Sequence, residues 1–356
     1  MKSVFLVKSP LQLLNAIEAK HYFKVPKKDC VLIVMADRKS QYQLLNLVKL
    51  KAEWGTVIVL NEVNLFFGNP IETNDYGWFK RLWMGDVLKK SIFNVRRINR
   101  IRKYLPEVKY IFVGYINYVY MVHYVNVTKH DEVLLLDDGN VTFEFSRHRK
   151  NNEARNLSAI KKLKMFLKRY LQGLESEVVK HVCFFTMYDI ESSGNDCVVK
   201  NNYSHIKSQI SNSQLTGNIF FLGSPLCEVG VVSSNDYLKN LSKVINYYGK
   251  SNVTYIAHRR ESPERLEEIK QCLDIRVMYL ELPIESYLAT TNSMPKIVSS
   301  FISSALDSCR VIFGEKLTVV SFKLHITDSK EIDKIEKAYK SYEDKVNENF
   351  YIIYDY

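Results

Sequence analysis

Val4-Phe5-Leu6-Val7-Lys8-Ser9-Pro10-Leu11-Gln12-Leu13-Leu14 opens the chain with a short apolar run, a Ser-Pro step and a second apolar series. The first run has the length and content of a strand buried on both faces. Ser9 suits a helix cap and Pro10 a first helical turn, because serine accepts the amide bonds that a helix start leaves over and proline lacks the amide that would go unpaired. Leu13, Leu14, Ile17 and Ala19 then follow at helical spacing. A buried strand that feeds a helix is the repeating unit of a parallel sheet covered on both faces.

The unit repeats outward from this start. Residues 31–35, 57–60, 110–113 and 133–136 read as further strands, separated by helical patterns at 42–51, 86–104 and 118–125. From 141 to 215 the alternation loosens into basic, polar, Asn- and Ser-rich sequence with one strand-like run at 182–186, and 211–217 has a linker's composition. A second alternation follows, with strands at 219–222, 253–256, 276–280, 296–299 and 311–313 and helices at 234–249, 263–273, 284–289 and 303–308. The expected fold is α/β: two successive Rossmann-like, doubly wound domains facing a central cleft. The expected divisions are 1–215, 216–328, and a terminal helix and tail, 329–356, free to return to the first domain.

With 356 residues, 46% hydrophobic and 25% charged, the composition is that of a soluble globular protein of about two domains. The six cysteines, Cys30, Cys183, Cys197, Cys227, Cys272 and Cys309, lack CxxC spacing, so reduced thiols are expected and not a disulfide framework or zinc site. The sequence shows no secretory signal or membrane span, which points to a cytoplasmic location. Fifty Lys+Arg against 39 Asp+Glu leave a net charge of +11 and favour an anionic partner. Basic residues concentrate at 80–103 and 161–170, the latter interleaved with apolar residues as in a membrane-surface helix or a plain solvated one. The charges belong to no recognisable nucleic-acid module.

Four clusters fall at strand ends, where open α/β sheets place ligands. Leu136-Asp137-Asp138-Gly139-Asn140 offers a general base, a strand-ending turn or a magnesium site. Leu222-Gly223-Ser224-Pro225 could bring backbone amides to a nucleotide, or simply turn the chain. Tyr255-Ile256-Ala257-His258-Arg259-Arg260-Glu261 delivers a histidine and two fixed cations suited to an anionic leaving group, a structural histidine being the alternative. Ser299-Ser300-Phe301-Ile302-Ser303-Ser304 ends a strand at a helix start and suits an anion. Glu281 and Glu285, just before it, are placed to accept hydrogen bonds from ribose, though Glu285 is also an ordinary first-turn acid.

In this order, Ser9-Pro10-Leu11-Gln12, Asp137-Asp138-Gly139, Leu222-Gly223-Ser224-Pro225, His258 and Ser303-Ser304 resemble the bacterial lipooligosaccharide sialyltransferase family, kin to bacterial polysialyltransferases, over about residues 4–325. The resemblance implies a glycosyltransferase-B fold and inverting, metal-independent transfer of sialic acid from CMP-sialic acid to a sugar hydroxyl of a cell-surface glycan, of lipooligosaccharide or capsule type. It implies Asp138 as base with Asp137 orienting it, His258 on the departing CMP phosphate, Ser303 and Ser304 on that phosphate, and Glu281–Glu285 near ribose. Gly223, Ser224, Arg259 and Arg260 complete the implied donor side, and Ser9, Gln12 and Gly139 the acceptor side. No cofactor is expected, and the cytoplasmic face of the inner membrane is the expected place of work. Two departures stand out: Arg259 replaces the proline of the family's His-Pro motif, and Leu226 stands where some members carry an acid. Another CMP-nonulosonate or a UDP-sugar as donor, or a non-catalytic anion- or membrane-binding scaffold, are the other readings. Trp78, Trp83, Tyr115 and Tyr118 are candidates for stacking on acceptor sugars or for packing.

Overall fold

The computed structural model describes residues 1–35, 38–60, 77–150, 169–175, 177, 179–210, 214–326 and 332–356, with only the backbone of 38–40, 77–90, 140, 333 and 334. The chain divides into two compact units, Met1–Asn201 and Asn202–Tyr356.

The first unit runs β1 (Ser3–Val7), α1 (Pro10–Tyr22), β2 (Cys30–Val34), α2 (Arg38–Lys51), β3 (Thr56–Val59), α3 (Gly77–Tyr104), β4 (Glu107–Val113), α4 (Val119–Val127), β5 (Lys129–Leu136), α5 (Asn140–Lys150), β6 (Cys183–Thr186) and β7 (Cys197–Lys200). Its seven strands lie in the order β3-β2-β1-β4-β5-β6-β7, every pair parallel. The central strands are buried on both faces, with Phe5 stacked on Phe112 at 4.2 Å between ring centroids. Ser9 caps α1 as its sequence suggests, its hydroxyl accepting the Gln12 amide.

The second unit runs α6 (Ser204–Ser208), β8 (Gln214–Leu222), α7 (Ser234–Tyr248), β9 (Val253–Ile256), α8 (Pro263–Leu273), β10 (Arg276–Met278), α9 (Ile284–Thr290), β11 (Ser293–Ser300), α10 (Ser304–Phe313), β12 (Thr318–Phe322), α11 (Ile332–Glu343) and β13 (Phe350–Ile353). Its parallel sheet has the order β10-β9-β8-β11-β12-β13. Both sheets therefore reverse direction beside their first strand, between β1 and β4 and between β8 and β11. That is the doubly wound order, whose ligands lie beyond the carboxyl ends of the strands at the reversal.

The structure departs from the sequence reading in several places. Residues 311–313 are the last turn of α10 and not a strand, because Leu306, Cys309, Ile312 and Phe313 bury one helical stripe; the strand is β12. Residues 214–217, read as linker, belong to β8. The terminal segment stays with the second unit: β13 extends its sheet beside β12, and Tyr356 packs edge-on to Phe322. Cys183 and Cys197, expected to be reduced, form a disulfide, since parallel pairing of β6 and β7 sets them directly opposite with Cα atoms 4.4 Å apart. The basic run 161–168 lies outside the described residues, as do the side chains of Trp78 and Trp83. Among the described residues no helix is long and apolar enough to cross a membrane.

Candidate active site

The carboxyl end of β5 leads straight into Asp137, which is fully buried. Its Oδ2 accepts the Met187 amide at 2.7 Å, and its backbone carbonyl accepts Asn15 Nδ2 at 3.0 Å. Asn15 Oδ1 in turn accepts Asn201 Nδ2 at 3.2 Å, so α1 and the segment after β7 brace the same turn from two sides. Burial pushes the Asp137 carboxyl up to about 7, against the opposing pull of Thr186, Met187, Thr142 and Lys200. Asp138 follows, half-buried, its amide donating to Thr142 Oγ1 at 2.9 Å. Gly139 has φ +62°, a left-handed conformation that glycine adopts without strain, and it swings the chain into α5. Of the two aspartates, Asp138 alone has an exposed part of its surface.

At the end of β9 the chain closes a tight turn in which the Glu261 amide returns to the His258 carbonyl at 3.0 Å. The Glu261 side chain is buried, accepting the His258 amide on Oε2 at 2.7 Å and the Tyr255 hydroxyl on Oε1 at 2.6 Å. Burial pushes this carboxyl up to about 7. Above it, His258 is half-buried and its Nδ1 accepts the Arg260 amide at 3.1 Å. An Nδ1 that accepts an amide carries no proton, so the neutral ring holds its hydrogen on Nε2. Burial first, then the charges of Arg259 and Arg260, lower the His258 pKa to about 3. Histidine here is a neutral Nε2–H donor, and an approaching anion would offset the two guanidinia.

The reversal point of the second sheet carries the serines. Ser303 caps α10, its Oγ accepting the Ala305 amide at 3.3 Å, and the Tyr342 hydroxyl both accepts the Ser303 amide at 3.0 Å and donates to the Ser303 carbonyl at 2.9 Å. This clamp from α11 fixes the loop and leaves the exposed Ser304 as its outward residue. Ser300 Oγ donates to the Leu222 carbonyl at 2.8 Å, which explains a serine in a buried strand.

Several residues read as ligand-binding make hydrogen bonds within the frame. The Gly223 amide is spent on the Ile256 carbonyl at 2.9 Å, and its missing side chain makes room for Glu261 and Tyr255. Ser224 is buried and donates to the Ile302 carbonyl at 2.7 Å, tying the β8 and β11 loops together. Gln12 is 2% exposed because its Oε1 is needed by the Lys8 amide at 2.7 Å. Glu285, placed near ribose by the sequence, is buried against the Ser308 hydroxyl with Arg259 as a nearby countercharge, because the first turn of α9 faces α10. Glu281 and Arg260 are exposed, Ser9 and Arg259 half-buried, and Gly139 buried. Asn15, Thr142, Thr186 and Asn201, which brace the β5 turn, gave no motif; a polar Asn15 among Leu14, Ala16 and Ile17 was the available signal. Tyr115 and Tyr118 are half-buried, with Lys8 Nζ 4.3 Å from the Tyr118 ring centre. Glu132 lies close to the sulfurs of Cys183 and Cys197, but the disulfide removes both thiolates from any metal site.

The profile of the alpha-2,8-polysialyltransferase (POLYST) family matches residues 3–321. No curated protein matches the chain. Solved structures similar to it include a UDP-N-acetylglucosamine 2-epimerase (10% identity, 91% of this chain and 79% of that one, TM-score 0.47). Others are the Escherichia coli heptosyltransferase WaaC with ADP-2-deoxy-2-fluoro heptose (11%, 99% and 92%, 0.41) and Arabidopsis thaliana UGT89C1 (9%, 99% and 85%, 0.47). The profile spans nearly the whole chain, and the chain belongs to that family.

Proposed function

We propose that this chain, a glycosyltransferase of the alpha-2,8-polysialyltransferase family with the two doubly wound units of the glycosyltransferase-B class, moves sialic acid from CMP-sialic acid to a sugar hydroxyl of a cell-surface glycan, with inversion and without a metal. The observation that carries this reading is the half-buried His258, held as an Nε2–H donor beside Arg259 and Arg260 at a strand's carboxyl end. Breaking the bond from sialic acid to CMP builds negative charge on the phosphate and positive charge on the sugar. Fixed donors and cations stabilise the former without reorganising. On the acceptor side Asp138 is the base, with Asp137 fixing the turn that carries it; on the donor side His258, Arg259 and Ser304 meet the phosphate, with Ser303 shaping the helix start and Glu281 within the ribose region.

Arg259 suits another CMP-nonulosonate as donor as well as it suits CMP-sialic acid. A guanidinium in place of proline adds a bidentate partner for a carboxylate, which any CMP-nonulosonate supplies. Contact with anionic lipid is supported by the exposed stripe Phe93, Arg96, Arg100, Lys103 and Tyr104 along α3, which fits work at the cytoplasmic face of the inner membrane.

The test is transfer by the purified chain with EDTA present, offering CMP-sialic acid, other CMP-nonulosonates and UDP-sugars with a panel of sialylated and unsialylated glycans. Sialylated product and released CMP are expected from the first donor. Turnover of UDP-sugars alone, or turnover lost to EDTA and restored by magnesium, would remove the reading.

A further inference from the structure

We propose that Glu261 is a positioning residue for the transfer reaction: its buried carboxylate, folded back on the His258 amide, holds the 258–261 turn so that the imidazole presents Nε2–H to the leaving phosphate. This rests on the assignment of His258 to the donor side.

Three independent features converge on the carboxylate. Both of its oxygens are engaged, Oε2 by the His258 amide at 2.7 Å and Oε1 by Tyr255 Oη at 2.6 Å, and Tyr255 Oη lies 2.8 Å from Tyr237 Oη. The neighbouring loop is shaped to fit, since a Cβ on Gly223 would stand 2.4 Å from Glu261 Oε2 and 2.6 Å from Tyr255 Oη. The turn itself links acid to ring: the Glu261 amide bonds the His258 carbonyl, and the intervening Arg260 amide bonds His258 Nδ1. An acid only 7% exposed is tolerated where its hydrogen bonds repay the lost hydration, and here one bond comes from the buried Tyr255 hydroxyl and the other from the backbone of the half-buried His258. The groups that set its charge are Tyr255 on β9, Tyr237 on α7, Glu228 before α7 and Arg265 on α8.

Shifting a catalytic group by about 1 Å costs roughly 100-fold in rate. Glu261→Ala and Glu261→Asp, whose carboxylate falls short of the His258 amide, are therefore expected to lower kcat by about that factor with little change in the donor KM. Glu261→Gln keeps an acceptor for the His258 amide and should recover most of the loss. Nitrogen-15 NMR of the His258 ring in the full chain is expected to show Nε2–H and bare Nδ1 in the native protein and in Glu261→Gln, and mixed tautomers in Glu261→Asp. In a His258→Ala background, Glu261→Ala should add less than about twofold, because both changes act through one ring. An unchanged His258 tautomer in Glu261→Asp, or a full independent loss on top of His258→Ala, would overturn the proposal. Normal transfer by His258→Ala alone would instead strike the assignment of His258, while the tautomer measurement would still decide what Glu261 does.

Discussion

At the carboxyl end of β5 a buried acid, Asp137, sits beneath a half-buried one, Asp138; at the end of β9 a buried acid, Glu261, sits beneath a half-buried imidazole with two arginines beside it. Each buried acid receives a backbone amide at 2.7 Å, from Met187 in one unit and from His258 in the other. Burial pushes both carboxyls up to about 7. The two strand ends thus use one device, an internal carboxyl that organises a turn, and differ in what the turn holds outward. An outward carboxylate suits removal of a proton from an acceptor hydroxyl, and an outward imidazole with guanidinia suits a departing phosphate.

The largest effects are expected at the outward residues. Asp138→Ala should lower transfer by about 100- to 10,000-fold, read as initial rate of sialylated product, with thermal unfolding unchanged. His258→Ala should lower it by about 100- to 1,000-fold, the range for losing one donor to developing negative charge. Equal, near-native rates in either variant would break the contrast between the two ends.

Smaller effects sharpen it. Tyr342→Phe removes the hydroxyl that clamps both backbone groups of Ser303, and a net hydrogen bond of about 1 kcal/mol corresponds to a roughly fivefold rise in donor KM. No rise in KM would separate the α10 start from donor binding. The inward acids should appear in stability and pH. Because the folded pKa of each is raised to about 7, the folded state keeps protons that the unfolded chain releases from about pH 4 upward; the stability they contribute is full below about 4 and lost as pH rises through 7. Asp137→Asn should flatten that decline, measured by denaturant unfolding from pH 4.5 to 7.5. His258, lowered to about 3, acts in the opposite sense, its contribution lost as pH falls from about 6.5 through 3. A decline identical to that of the native chain in Asp137→Asn would remove the buried-acid account for β5.

Much of this frame was legible in local sequence. Ser9-Pro10, the Asp-Asp-Gly turn and the apolar run before His258 each specify a strand end or a cap through their own chemistry. What failed was long-range or ambiguous. Val311-Ile312-Phe313 is apolar enough for strand or helix, and only the buried stripe it shares with Leu306 and Cys309 decides between them. The Cys183–Cys197 bond depends on β6 lying beside β7, which no spacing of cysteines reveals. Gln12, Ser224 and Glu285 have the residue types of a binding site and also bond within the frame, because buried polar groups need partners as much as ligands do.

The division of labour between the two strand ends is tested most directly by comparing transfer with donor hydrolysis in the same preparations, following CMP release from CMP-sialic acid with and without a saturating glycan acceptor. Departure of CMP is common to both reactions, so His258→Ala is expected to lower them in equal proportion and leave their ratio unchanged. Asp138→Ala is expected to depress transfer far more than hydrolysis, lowering the ratio by tenfold or more on the scale of a lost general base. An unchanged ratio in Asp138→Ala, or hydrolysis at the native rate in His258→Ala, would contradict the assignment of acceptor chemistry to β5 and leaving-group chemistry to β9.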